Sequence, residues 1–158
     1  MRLRLNILKL IFVLLIFSFV TAKNKLNIVE YIQIPKELKA LRFNPDKINW
    51  SLRNSFLLLD SYNSELLLLN NSGEVKFSSG LGRRHNVYGE LIWAGISPIG
   101  IQVVDRLENE IIILDLNLNF MHNTSINHNL YPEMAQIDPW GKLFMYSNTH
   151  NGIFILQN

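Results

Sequence analysis

The sequence predicts an all-β chain, an array of four-stranded antiparallel sheets of the β-propeller type. Three observations lead there. First, FLLLDSYNSELLLLN at Phe56 to Asn70 returns as IQVVDRLENEIIILD at Ile101 to Asp115 and, more weakly, as LFMYSNTHNGIFILQ at Leu143 to Gln157. Asp60, Asp105 and Ser147 fall in register at offsets of 45 and 42 residues, a period that marks stacked supersecondary units. Second, two apolar runs flank a polar segment in each copy. They are too short for helices and rich in Ile, Val, Leu and Phe, so they read as strands. Third, the joining segments DSYNSE, DRLENE and SNTHNG are dense in Asp, Asn, Ser and Gly, which satisfy turn backbone or tolerate left-handed conformations. Each copy is a hairpin. Only Gln102 interrupts the apolar runs, which predicts that both faces of every hairpin are covered by neighbouring sheets.

Taken in order, the chain begins with the basic Met1-Arg2-Leu3-Arg4 and an apolar stretch from Leu10 to Val20. This stretch of eleven residues, apolar but for Ser18, falls short of the ~20 that span a bilayer, and Val20-Thr21-Ala22 suits a signal peptidase, so residues 1–22 read as a secretory signal peptide. Localisation is then extracytoplasmic, periplasmic or secreted. Of the 15 Lys and Arg, three (Arg2, Arg4, Lys9) lie in this leader, which leaves 12 against 13 Asp and Glu, a net charge of −1. That balance gives no support for a nucleic-acid partner. With no cysteine there is no lipid-attachment site, disulfide framework or thiolate site.

Residues 23–158 form the repeat domain. Asn27 to Ile34 reads as a lone strand closed by Pro35, and Lys36 to Lys47 as a connector. Units then follow at about 45–79, 90–125 and 131–158. In each, a first strand (Ile48 to Leu52, Ile92 to Ser97, Met134 to Asp138) precedes the hairpin, and the last two are closed by the Pro-x-Gly turns Pro98-Ile99-Gly100 and Pro139-Trp140-Gly141. In the first two an outer strand follows, as in Glu74-Val75-Lys76-Phe77 and Asn119-Phe120-Met121-His122, where polar and apolar residues mix as on a half-solvated surface. The count of one, four, four and three strands makes residues 27–34 a candidate closing strand for the last unit. Propellers need four to eight blades to close, so three blades form an open arc. Either the chain is part of a longer propeller, or two copies associate as a homodimer that completes a six-bladed ring.

The residues also resemble a family. Asp60-Ser61-Tyr62-Asn63-Ser64-Glu65-Leu66, then Asn71-Ser72-Gly73-Glu74-Val75, Gly80-Leu81-Gly82, Gly89-Glu90 and Ser97-Pro98-Ile99-Gly100-Ile101 look like the NHL repeat of six-bladed propellers. The chain is similar to secreted bacterial proteins of that type. The pattern departs later, with Glu108 at the Asn position and Ser147 and Gly152 replacing the Asp and the charged residue. The resemblance implies a shape shared by lyases, esterase-like enzymes and binding scaffolds.

Site candidates are few. Asp60, Asp105, Glu65 and Glu110 recur by repeat and so read as hairpin-closing residues. NHL-type lyases hold a metal with channel histidines, which makes His85, His122 and His128 candidate metal ligands, with His150 the remaining imidazole. Their spacing is unlike that of a zinc motif. Gly80-Leu81-Gly82-Arg83-Arg84-His85 lacks the helix start that a phosphate loop needs. Trp50, Trp93 and Trp140 read as packing between units. No nucleophile, general base or cofactor motif is assembled. The expectation is an exported scaffold binding a protein or glycan partner, with no membrane span after signal cleavage. The alternative is a channel-centred, metal-dependent lyase or hydrolase.

Overall fold

The computed structural model describes residues 28, 30–51, 55–80, 87–126 and 129–156. The leader 1–22, the Gly-rich connector from 81 to 86 with His85, and His128 lie outside them. The chain divides into two units, Met1–Tyr31 and Ile32–Asn158, and the second holds the fold described below.

After a single helical turn, α1 (Glu37–Ala40), eleven strands follow in three antiparallel sheets ordered as in the sequence. The first sheet is β1 (Lys47–Ser51), β2 (Ser55–Asp60), β3 (Glu65–Asn70) and β4 (Val75–Ser79). The second is β5 (Leu91–Ser97), β6 (Gly100–Asp105), β7 (Glu110–Leu114) and β8 (Phe120–Ser125). The third has three strands, β9 (Met134–Ile137), β10 (Leu143–Ser147) and β11 (Gly152–Leu156). No sheet closes on itself as a barrel. The repeat extends to the hydrogen-bond register, because the hairpins end on Asp60 opposite Glu65, Asp105 opposite Glu110, and Ser147 opposite Gly152. Ser64, Asn109 and Asn151, each one residue earlier than the second partner, all take positive φ of 53°, 53° and 47°, the left-handed turn conformation that Asn tolerates best.

Alternate residues of a strand face opposite sides, and this divides every apolar run between two interfaces. Leu57, Leu59, Leu66 and Leu68 of the first sheet pack against Ile101, Val103, Ile112 and Leu114 of the second. From the second sheet's other face, Val104 and Ile111 meet Leu143, Met145, Phe154 and Leu156 of the third. Leu58, Leu67 and Leu69, on the remaining face of the first sheet, are covered by Leu38 of α1 and by Phe43. The first strands β1, β5 and β9 approach one another, and Asn49 Nδ2 and Lys47 Nζ donate to the Ala94 and Ile92 carbonyls across the first gap. Strands β4 and β8 are exposed, as outer strands should be.

Two expectations are corrected. Residues 28 and 30–34 form no strand, so the candidate closing strand of 27–34 is absent over its described residues. Instead, Gln33 runs past the β3–β4 turn, where a Cβ on Gly73 (φ +85°) would stand 2.6 Å from its carbonyl oxygen. The third hairpin is not covered on both faces either. Ile153 and Ile155 are 69% and 58% exposed, because no further sheet lies beyond it among the described residues.

Candidate binding face

The repeated carboxylates act within their own units. Asp105 is 1% exposed; its Oδ2 accepts from Gly89 N at 2.6 Å, and its Oδ1 from Glu90 N at 2.9 Å, Leu107 N at 3.1 Å and Glu108 N at 3.2 Å. One side chain thus fixes the β6–β7 turn and ties it to the segment leading into β5. Asp60 does the same, accepting from Asn44 N at 2.7 Å ahead of β1 and from Asn63 N at 3.0 Å in its own turn. Ser147 inverts the polarity, its hydroxyl donating to the Leu130 carbonyl ahead of β9. These contacts agree with the hairpin-closing reading of Asp60 and Asp105.

The two described histidines belong to different sheets. His122 lies on the outer strand β8, where it is exposed, and His150 sits in the β10–β11 turn with Nδ1 3.3 Å from Ser147 Oγ and its ring edge-on to Phe154. His85 and His128 lie outside the described residues. Among the described residues no three His, Asp or Glu side chains stand together in a set that could hold a metal. A hollow of about 430 Å³ along the first strands is lined by Lys47, Asn49, Glu133 and Gln136, without a histidine.

The opposite set of turns makes a different surface. Asp115 Oδ1 accepts from Asn117 N at 2.8 Å and Asn119 N at 2.9 Å, and its Oδ2 from Asn119 Nδ2 at 3.0 Å. Asp138 Oδ1 accepts from Trp140 N and Lys142 N, both at 2.9 Å. These are Asx turns, in which a short carboxylate replaces backbone as acceptor. Gly100, at φ +139°, has room for no side chain, since a Cβ would lie 2.4 Å from the Leu114 carbonyl oxygen. The turns bound an open groove of about 800 Å³ lined by Trp50, Ile99, Asp115, Met121, Asp138 and Pro139. A second hollow of about 320 Å³ continues past Trp140 to Gln102 and Lys142. Trp50 is 58% exposed and Trp140 84%, so the expectation that all three tryptophans pack between sheets holds only for the buried Trp93. The signal lay in the Pro139-Trp140-Gly141 turn, whose tip holds the Trp140 indole away from the sheet that carries it.

Hydrogen bonds from Asn119 hold the Asp115 carboxyl below its ordinary value of 3.8, against a small opposing desolvation. At the other end of the second sheet, Arg106 Nε donates to Glu90 Oε2 at 2.8 Å, Nη2 bonds Oε1, and the guanidinium lies 4.6 Å from the centre of the Tyr131 ring. That bidentate bond draws the Glu90 carboxyl below its ordinary 4.5 and raises Arg106. A carboxyl depressed in the folded state adds stability that is complete above its ordinary value and lost as pH falls through the depressed one. The melting temperature is therefore expected to decline on acidification below about pH 4.5. Glu90→Gln should flatten the upper part of that decline in melts followed by circular dichroism.

Among known proteins, no family model and no curated protein matches the chain. Fourteen chains of solved structures do match. In one, a Bacteroides fragilis protein predicted to be exported, 73% of this chain superposes on 33% of that chain with a TM-score of 0.55 at 20% identity. The likeness is one of fold, and the chain spans about a third of that protein's length. Among the described residues no helix is long and apolar enough to cross a membrane.

Proposed function

We propose that this chain is an exported β-propeller of the NHL type, acting as a binding scaffold for a protein or glycan partner and not as a catalyst. The repeat period, the three stacked sheets and the approach of β1, β5 and β9 support the propeller reading. Export is supported by the leader-like sequence of residues 1–22 and by the predicted export of the structural neighbour. The observation that carries the binding role is the groove between the turns. Four separate segments bring the exposed Trp50 indole, Ile99 and Met121 to this groove, beside two carboxylates held in place by turn backbone, and the adjoining hollow, which shares Ile99 and Asp138 with it, adds the exposed Trp140 indole. Indoles supply rigid contact area at low entropic cost and are enriched among the anchors of binding surfaces. Proteins place such groups on loops held by a stiff frame.

Titration of the chain with a panel of soluble oligosaccharides and peptides, followed by tryptophan fluorescence, tests the assignment. A binding member should quench emission, and Trp140→Ala should weaken its affinity by at least about ten-fold while leaving the far-ultraviolet dichroism unchanged. Ligands bound equally well by Trp50→Ala and Trp140→Ala would remove the groove as the binding face.

A further inference from the structure

The exposed face of the third sheet has counterparts that are covered. By repeat register, Tyr146, Ile153 and Ile155 correspond to Leu59, Leu66 and Leu68 of the first sheet, and those three are buried against the second sheet. The corresponding Val104 and Ile111 of the second sheet pack on the third. In the third sheet, Ile153 and Ile155 are more than half exposed, and Met134, which pairs with Tyr146 on the far side of β10 from them, is 61% exposed. Polar groups tell the same story independently. Ser64 Oγ donates to Gly89 O and accepts from Leu91 N of the following unit, and its counterpart Asn109 bonds Ile126 O and Leu130 N of the next. The third counterpart, Asn151, is exposed and makes no side-chain hydrogen bond to a described residue. Likewise Asn49 donates across the first gap to Ala94 O, whereas its counterpart Gln136 is exposed. Finally, β3 and β7 are each flanked by an outer strand, while β11 pairs only with β10 among the described residues.

We propose that the outer face of the third sheet, with the free edge of β11, is a docking surface for a further four-stranded unit of the same repeat. The incoming polypeptide adds a strand to β11, lays an aliphatic sheet face over Tyr146, Ile153 and Ile155, and offers lead-in backbone to Asn151 and Gln136. A second copy meeting face to face fits less well. Strands of four, five and five residues present roughly 14 by 16 Å at most, well short of the ~800 Å² per partner of a stable interface. Such a meeting would also leave the β11 edge unused. The inference rests on the stacking of the sheets and is independent of the binding groove proposed above.

The chain itself contains a suitable probe, because residues 70–125 complete the first sheet with β4 and cover its face with β5–β8. Joining a second copy of residues 70–125 after Leu156 of the full chain should slow amide exchange across β11 by at least about ten-fold. Ile153→Lys with Ile155→Lys should reverse that protection in the extended chain, yet leave the parent's melting temperature nearly unchanged, since there the face is bare. Unchanged exchange in β11, whether or not the appended segment folds, would overturn the proposal. So would a dimeric parent that the same lysine pair returns to monomer, because a second copy would then own the face. A change in ligand binding by the groove bears on neither outcome.

Discussion

Asp105→Ala is expected to destabilise the chain by about 3 to 5 kcal/mol, a large share of the roughly 5 to 15 kcal/mol that holds a typical domain folded. The carboxylate is buried and accepts four backbone N–H groups. Hydrogen bonds to a charged acceptor contribute about 1.5 to 3 kcal/mol each, but they are not additive and water entering the space left by the side chain recovers part of the loss. Asp60→Ala removes two backbone partners and the Asn63 amide, at 2.8 Å, and should cost less, about 2 to 3 kcal/mol. Ser147→Ala removes a neutral bond to one carbonyl and should cost about 1 to 2 kcal/mol. Urea unfolding at constant slope measures all three. A different order would mean that these residues do not fix the hairpins by the bonds described.

Leu66→Ala should cost a similar amount, about 3 to 5 kcal/mol, because a wholly buried leucine loses both its transfer energy and the packing around the cavity it leaves. The informative comparison is Ile153→Ala, the same position two units later. With that side chain 69% exposed, the expected loss is below about 1 kcal/mol, since little apolar area is removed from contact. Equal losses at the two positions would show that the third sheet's outer face is covered in solution.

Much of the fold was legible because its determinants are local. The strands end where Asp, Asn and Gly begin, and the offset between Asp60 and Asp105 anticipates the register of both hairpins. The short α1 was not legible, because Glu37 to Ala40 makes only one turn and shows no period. Nor was the bareness of the third sheet, since IFIL in β11 reads like LLLL in β3. Side-chain type records what a residue can bury, while the presence of a neighbour depends on the whole array. The groove proposed as a binding face was half legible: its Pro-x-Gly turns were plain, but the outward placement of Trp50 and Trp140 follows from where distant segments meet. The metal-binding expectation for His122 had only the resemblance behind it, and the structure puts that residue on an outer strand, away from the hollow along the first strands.

The clasps at Asp60, Asp105 and Ser147 also bear on how the chain acquires its structure. Each joins residues only 16 or 17 apart, Asn44 with Asp60, Gly89 with Asp105 and Leu130 with Ser147, so the loop-closure entropy of a unit is small and independent of the rest. Ordering can then begin in any unit and spread to its neighbours. The second unit, which alone has a described sheet on both sides, becomes the natural nucleus. Its amides should be the last to open, and the chain should fold faster than an all-β protein built on distant strand pairings.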